Sequence, residues 1–394
     1  MTDPSHWLPL CAANIQAAHA RIRPYIHTTP VLTCRTLNRL ASTPQSTDTP
    51  SEAPPANPKI NLFFKCENLQ RIGAFKARGA FHALVRLVEC YGVDEVRRRG
   101  VVTHSSGNHA QALALAASSF AVPAHIVMPR ISAPAKIAAT TKAHPGVRVV
   151  FSGSTSHERE DVVRRVIAET GAILVPPYDH PDVILGQGTV AMELEQQVRE
   201  LVRADAGLSV HADAGADGGV LDAVITPVGG GGLNAGVATW FAEEEEERGG
   251  SVGKRGKRGK VRVFGAEPAW QGADDCRRGL AAGERITAVS SLTVADGLRT
   301  PVGEIPWSVI SDAEKVRGVY AVTEAQIVAA MRLVLERMKV VVEPSAVVGL
   351  AVVLFNEEFR ALVEREGGED GWNVGVVLTG GNTSVEAIGA LFAS

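Results

Sequence analysis

Short runs of consecutive apolar residues punctuate this chain, and longer stretches with apolar positions three and four apart fall between them. The runs NLFFKCE, VVTHSS, AHIVMP, VRVVFS, AILVPP, LDAVITPV, VRVFGAE and VGVVLTGG have strand length and are rich in Val, Ile and Phe. Between them, AQALALAASSFA, HEREDVVRRVIAET, VAMELEQQVRELV and AQIVAAMRLVLERMK repeat with a helical period. A strand apolar on both faces must be covered on both, and intervening helices do that. The pattern therefore predicts an α/β fold of parallel sheets with crossover helices. Three segments lack any apolar period: the Pro/Ser/Thr-rich 41–58, the small and polar 203–219, and 243–260, an acidic block followed by a basic one. They read as surface-loop insertions.

Composition narrows the function class. The 394 residues suffice for about two domains. A formal charge of −3 leaves no electrostatic footprint for nucleic acid, and no apolar run approaches the ~20 residues of a membrane span. The start MTDPSHWLPL has neither the basic nor the apolar region of a secretory signal. Cys11, Cys34, Cys66, Cys90 and Cys276 are scattered, with no C-x-x-C pair, which fits reduced thiols in the cytoplasm and no structural zinc.

Four stretches could carry chemistry. In GAFKARGA, Lys76 lies between small and aromatic neighbours, where lost hydration disfavours the ammonium and makes the amine a better nucleophile. A lone lysine at a helix start has a plain structural reading too. In HSSGNHAQALA, a strand end opens into an alanine-rich helix and presents free N–H groups and hydroxyls suited to a carboxylate, although Ser and Asn also cap helices. In LDAVITPVGGGGLNAG, four glycines join a strand to a helix, so backbone N–H groups can converge on a phosphate. Gly230, Gly232 and Ala235 also satisfy G-x-G-x-x-A, with Glu267 ending the next strand, which keeps a dinucleotide reading open. VGVVLTGGNTS delivers Thr379 to a strand end, where a hydroxyl can meet a ligand ring nitrogen or simply sit in a turn.

Taken together, KCENLQRIGAFKARGA, THSSGNHAQAL, GQGT, PVGGGGLNAG, ADGLRT, ERMKVVVEPSAVVGLA and LTGGN resemble pyridoxal-phosphate (PLP) enzymes of the tryptophan-synthase-β type, fold type II. The likeness is to the serine racemase and serine/threonine dehydratase branch, in family order from about residue 20 to 385. It implies two open, twisted, mostly parallel sheets: a large domain of 1–90 and 180–394, and a small domain of 98–173 that closes over substrate. It implies Lys76 as the Schiff-base lysine, with Phe75 packed before it and Asn108 at the pyridine 3-hydroxyl. Gly229, Gly230, Gly231, Gly232 and Leu233 would bind the cofactor phosphate, and Thr379 would face the ring nitrogen. Ser105, Ser106, Gly107, Asn108 and His109 would hold the substrate carboxylate. A dinucleotide reading leaves Lys76, SSGNH and TGGN unexplained.

The implied activity is an ammonia-lyase (dehydratase) acting on a small 3-hydroxy amino acid: L-serine, L-threonine or threo-3-hydroxyaspartate. The alternative is a racemase using Lys76 and Ser106 on opposite faces; a sensor that binds PLP without turnover is a more distant rival. Arg159, in HEREDVVRRV, matches an arginine that meets a distal carboxylate, and Tyr178 stands where racemases carry asparagine. The branch also implies Mg²⁺ or Ca²⁺ on Glu267, the Ala273 carbonyl and Asp275, although EPAWQGADD is two residues longer than the family run. A homodimer is implied by resemblance alone.

Overall fold

The computed structural model describes residues 4–45, 54–131, 134–141, 146–153, 156–211, 220–243 and 260–393. Its strands are β1 (Val31–Leu32), β2 (Ile60–Cys66), β3 (Val101–His104), β4 (Ala124–Pro129), β5 (Val147–Ser152), β6 (Ile173–Leu174), β7 (Ala223–Pro227), β8 (Arg262–Pro268), β9 (Gly318–Val322) and β10 (Trp372–Leu378). The helices that shape the site are α1 (Ala12–Ile22), α2 (Lys76–Tyr91), α3 (Asn108–Ser119), α4 (Ser156–Thr170), α5 (Pro181–Ala204), α6 (Gly232–Ala242), α7 (Asp275–Ala282) and α8 (Glu324–Leu333).

One sheet has the order β1-β2-β10-β7-β8-β9 and the other β5-β4-β3-β6. All pairings are parallel except β1 with β2. The eight runs predicted as strands are all strands, four of them (VVTHSS, AILVPP, LDAVITPV and VGVVLTGG) longer in sequence than in structure. Two strands escaped the apolar pattern. β1 has two residues, and β9, GVYAV, is a short edge strand that opens on glycine. Buried side chains cover both faces of the six-stranded sheet, and a separate core lies under the four-stranded one. No helix among the described residues is long and apolar enough to cross a membrane.

Of the three expected insertions, 46–53, 212–219 and 244–259 lie outside the described residues. Their flanks are ordered into the fold. Residues 203–204 end α5, and the Val210 N–H donates to Asn373. The buried Arg360 guanidinium donates to the carbonyls of Ala41, Thr43 and Ala56, closing the first insertion at its base.

Glycines let three helices cross closely. A Cβ on Gly186 would lie 2.7 Å from the Gly79 Cα, and one on Gly188 would lie 2.9 Å from the Gly236 carbonyl. GQGT is therefore a packing motif that brings α5 against α2 and α6. Because parallel strands point the same way, β2, β3, β7 and β10 all deliver the loops that follow them to one crevice.

Candidate active site

Lys76 begins α2 after a tightly held loop. Gln70 Oε1 accepts from the Arg71 N–H, and Gly73 N–H donates to the Gln70 carbonyl at 2.8 Å. Ile72 is left at φ 57° and Gly73 at φ 69°, conformations that only such a net of bonds would impose on a β-branched residue. The loop is then stitched to the end of β10: Gly381 N–H donates to Gly73, Phe75 N–H to Thr379, and Ala74 bridges Gly380. Lys76 Nζ donates to the Pro177 carbonyl at 2.7 Å and lies 5.2 Å from the Phe75 ring and 6.0 Å from the Tyr178 ring. Burial lowers its pKa to about 8, so the amine loses its proton near physiological pH.

After β3, the Ser105 hydroxyl accepts from Gly107 N–H, and α3 starts at Asn108. The N–H groups of Ser106, Asn108 and His109 donate to no protein acceptor among the described residues, nor does the Ser106 hydroxyl make a protein hydrogen bond. Unengaged N–H groups at a helix start suit an anion. His109 is buried; its Nε2 meets the Val175 carbonyl at 3.3 Å, and burial together with Lys76 pushes its pKa down to about 3. Asn108 donates to Glu343 at 2.8 Å and accepts from Asn382, which also holds the Ile72 carbonyl. Glu343 and Asn382 were not singled out as site residues from the sequence. They lie in EPSA and TGGN, and only the fold joins those motifs to SSGNH.

After β7, Gly231 adopts φ 83° and Gly232 opens α6. No N–H from Gly229 to Leu233 donates to a protein acceptor among the described residues. The other side of the loop is packed shut: a Cβ on Gly229 would lie 3.1 Å from the Gly297 carbonyl, and one on Gly230 would lie 2.3 Å from Tyr178 Cγ. Burial pushes the Tyr178 hydroxyl up to about 12, so it stays protonated. Thr379 is 5% exposed, and its carbonyl, not its hydroxyl, is engaged by Phe75.

Arg159 is half-buried on α4. His104 is pushed down by burial and by the Arg159 charge, and the same charge acts on Tyr178. Arg159 is therefore near enough to both groups for its charge to act on them. Glu267 and Asp275 are also together. Glu267 accepts from Cys276 N–H at 3.0 Å and Arg277 N–H at 2.9 Å. Burial and the Asp275 charge raise its carboxyl well above the usual range. Within EPAWQGADD a short 3₁₀ turn spans Trp270–Gly272, with Gln271 at φ 50° and Gly272 at φ 78°. Trp270 is half-exposed in that turn, and Asp275, which follows it, lies near Glu267. No cluster of three His, Cys, Asp or Glu side chains suited to a metal occurs among the described residues.

The profile of the family described as "Pyridoxal-phosphate dependent enzyme" matches residues 42–380. The chain belongs to that family. It is 37% identical to the serine racemase of Arabidopsis thaliana over 97% of this chain and 96% of that one. It is equally 37% identical to the beta-hydroxyaspartate dehydratase of Paracoccus denitrificans, over 95% of this chain and 97% of that one. The solved structure of maize serine racemase superposes with a TM-score of 0.76 at 35% identity, covering 97% of each chain. The residues present fit the family's cofactor: a desolvated lysine amine, five unengaged loop N–H groups for a phosphate, and a Thr379 hydroxyl without a protein partner border one crevice. The acidic pair likewise fits a hard cation, because Asp275 Oδ1 is buried with no donor.

Proposed function

We propose that this chain is a PLP-dependent ammonia-lyase that removes water and ammonia from a small 3-hydroxy amino acid, with threo-3-hydroxyaspartate as its best substrate. The observation that carries the lyase reading is Lys76: a desolvated amine, held on the Pro177 carbonyl between two aromatic rings, at the junction of the three ligand-binding loops. The N–H groups of Gly229 to Leu233 would hold the cofactor phosphate, with Thr379 at the ring nitrogen and Asn108 at the 3-hydroxyl. When bound, PLP supplies an electron sink for the charge left when a proton leaves the α-carbon. Lys76 Nζ removes that proton in its uncharged form. The N–H groups of Ser106, Asn108 and His109 orient the substrate by its α-carboxylate. Phe75 and Tyr178 keep water from the amine. Arg159 receives the second carboxylate of hydroxyaspartate, a charge-assisted contact that serine and threonine cannot make.

Glu267, Asp275 and the Ala273 carbonyl would hold Mg²⁺ or Ca²⁺ and relieve the repulsion between the two carboxylates. We assign residues 98–173 to a small unit that closes over substrate, and 1–90 with 180–394 to the large one. A cytoplasmic homodimer completes the reading. Racemisation is the second reading, favoured by the unengaged Ser106 hydroxyl as a second proton carrier.

The test is 2-oxo acid release by the PLP- and Mg²⁺-loaded protein from L-serine, L-threonine and both threo-3-hydroxyaspartate enantiomers. Hydroxyaspartate should be fastest by kcat/KM, and Arg159→Met should lower that value ~30-fold or more while changing L-serine turnover less than ~3-fold, the loss of one charged contact. No oxo acid from any substrate would sink the lyase and leave the racemase, assayed by chirality. Equal losses on both substrates would remove Arg159 from the specificity argument.

A further inference from the structure

The second cation of GAFKARGA, Arg78, points away from the crevice into a fully buried cluster. Its Nε and Nη2 donate to the two Glu67 oxygens, each at 2.8 Å. Nη2 also donates to Glu193 Oε2 at 2.8 Å, and Nη1 to Glu193 Oε1 at 2.9 Å and Thr189 Oγ1 at 3.1 Å. All five N–H donors of the guanidinium are thus used. Lys65 Nζ adds bonds to Glu193, Gln197 and the Thr29 carbonyl, and His19 on α1 reaches Glu193 at 3.0 Å. Arg78, Lys65 and Glu67 are 0% exposed, and Glu193 is 4% exposed. Burial alone would push the Glu193 carboxyl up, but Arg78, His19 and Lys65 hold it well below the usual range, so it is ionised. The cluster thus pairs two cationic side chains, Arg78 and Lys65, with two carboxylates, Glu67 and Glu193.

We infer that the Lys65–Glu67–Arg78–Glu193 cluster is a charge-balanced mount for Lys76, in which Arg78 is a positioning residue that fixes the first turn of α2 without placing a net field on the amine. Buried ion pairs are weak stabilisers compared with apolar packing, so stability alone is a poor reason for four buried charges here. Position is a better one. Lys76 and Arg78 share one helical turn, and the cluster ties that turn to β2, α5 and α1 at once. The titratable groups facing Lys76 from other elements, His109 and Tyr178, are both uncharged, and no charged partner accompanies burial in lowering the Lys76 pKa.

This inference rests on the assignment of Lys76 as the cofactor lysine. The test uses full-length holoenzyme and reads the pH titration of the bound cofactor's visible absorbance, with PLP affinity alongside. Glu193→Gln leaves one uncancelled positive charge and should lower the apparent pKa. Arg78→Gln leaves one negative charge and should raise it. For an uncancelled buried charge at an effective dielectric of about 20, each shift is on the order of one pKa unit. The double variant should return to within a few tenths of wild type. Arg78→Lys, which keeps the charge but loses the fork, should retain the wild-type pKa while weakening PLP binding about tenfold; it also serves if the charge-changing variants do not fold. Thr189→Val, which changes no charge, should not move the pKa. Shifts of one sign in both single variants, or none, would overturn the inference, as would an Arg78→Lys pKa that moves. A wild-type protein with no visible band would instead refute the cofactor assignment itself.

Discussion

Gly230→Ala isolates the packing that shapes the phosphate loop. The added Cβ would lie 2.3 Å from Tyr178 Cγ and 2.4 and 2.5 Å from its two Cδ atoms, against the roughly 3.5–4.0 Å of a carbon–carbon contact. The ring must retreat by more than an ångström or the loop must move. The ring has little room to shift with its own backbone, because a Cβ on Gly232 would already lie 3.1 Å from the Tyr178 carbonyl and 3.2 Å from its Cβ. The loop is pinned as well, since Gly303 N–H donates to the Gly230 carbonyl at 3.2 Å. Overpacking of this kind costs about 1–3 kcal/mol. If the strain falls on the cofactor-binding conformation, PLP affinity drops about 5- to 150-fold. Titrating cofactor-free protein with PLP by visible absorbance measures the loss. Adding Tyr178→Ala to Gly230→Ala removes the obstructing ring and should recover most of the affinity. Wild-type affinity in Gly230→Ala, or a double variant as weak as the single one, would refute the reasoning.

Three more outcomes concern Lys76, Asp182 and the acidic pair. Lys76→Ala should lose the visible band of lysine-bound PLP on incubation with cofactor; an unchanged spectrum would dismiss Lys76 as the attachment point. Asp182, in the first turn of α5, is 5% exposed, and burial raises its carboxyl from 3.8 to about 6. The native state then holds a proton that the unfolded chain releases between those values, so stability falls as pH rises through that window, by ~3 kcal/mol in full. Asp182→Asn should raise Tm by ~3–4 °C at pH 7.5 and leave it nearly unchanged at pH 4; an equal gain at both pH values would contradict the sign. Finally, Mg²⁺ or Ca²⁺ should raise Tm relative to chelated protein, and Asp275→Asn should abolish the difference. Identical melts with no metal detected by elemental analysis would leave Glu267 and Asp275 a purely structural pair.

Much of this architecture was legible because its signals are local. Eight strands announced themselves as apolar runs, and each glycine-rich or Ser-Ser-Gly turn marked the end of a parallel strand, where ligands bind. What the sequence did not disclose depends on residues far apart. The contact of Asn108 with Glu343 joins positions 235 residues apart, and that of Asn382 with Asn108 joins positions 274 apart. Neither has a local period. The nearness of Asp275 to Glu267 is of the same kind: it depends on a turn with Gln271 and Gly272 in the left-handed region, which no local period announces. The two-residue β1 carries too few positions for any pattern.

The stretch GAFKARGA shows how densely the two kinds of information overlap. Gly73 takes the left-handed turn that lets its carbonyl receive Gly381. Ala74 bridges Gly380 with no room for a larger side chain, being fully buried. Phe75 shields the amine of Lys76, and Ala77 and Ala80 enter the core beneath the four-stranded sheet. Arg78 anchors the turn. Gly79 is bare because a Cβ there would lie 2.3 Å from Gln187 Nε2, on the helix that also carries Glu193. Thus the close approach of α2 to α5 that Gly79 permits is the same approach that brings Glu193 within reach of Arg78. A larger residue at position 79 should therefore disturb the charge cluster and the lysine together, although its added Cβ would meet Gln187 and the Val183 carbonyl on α5 first.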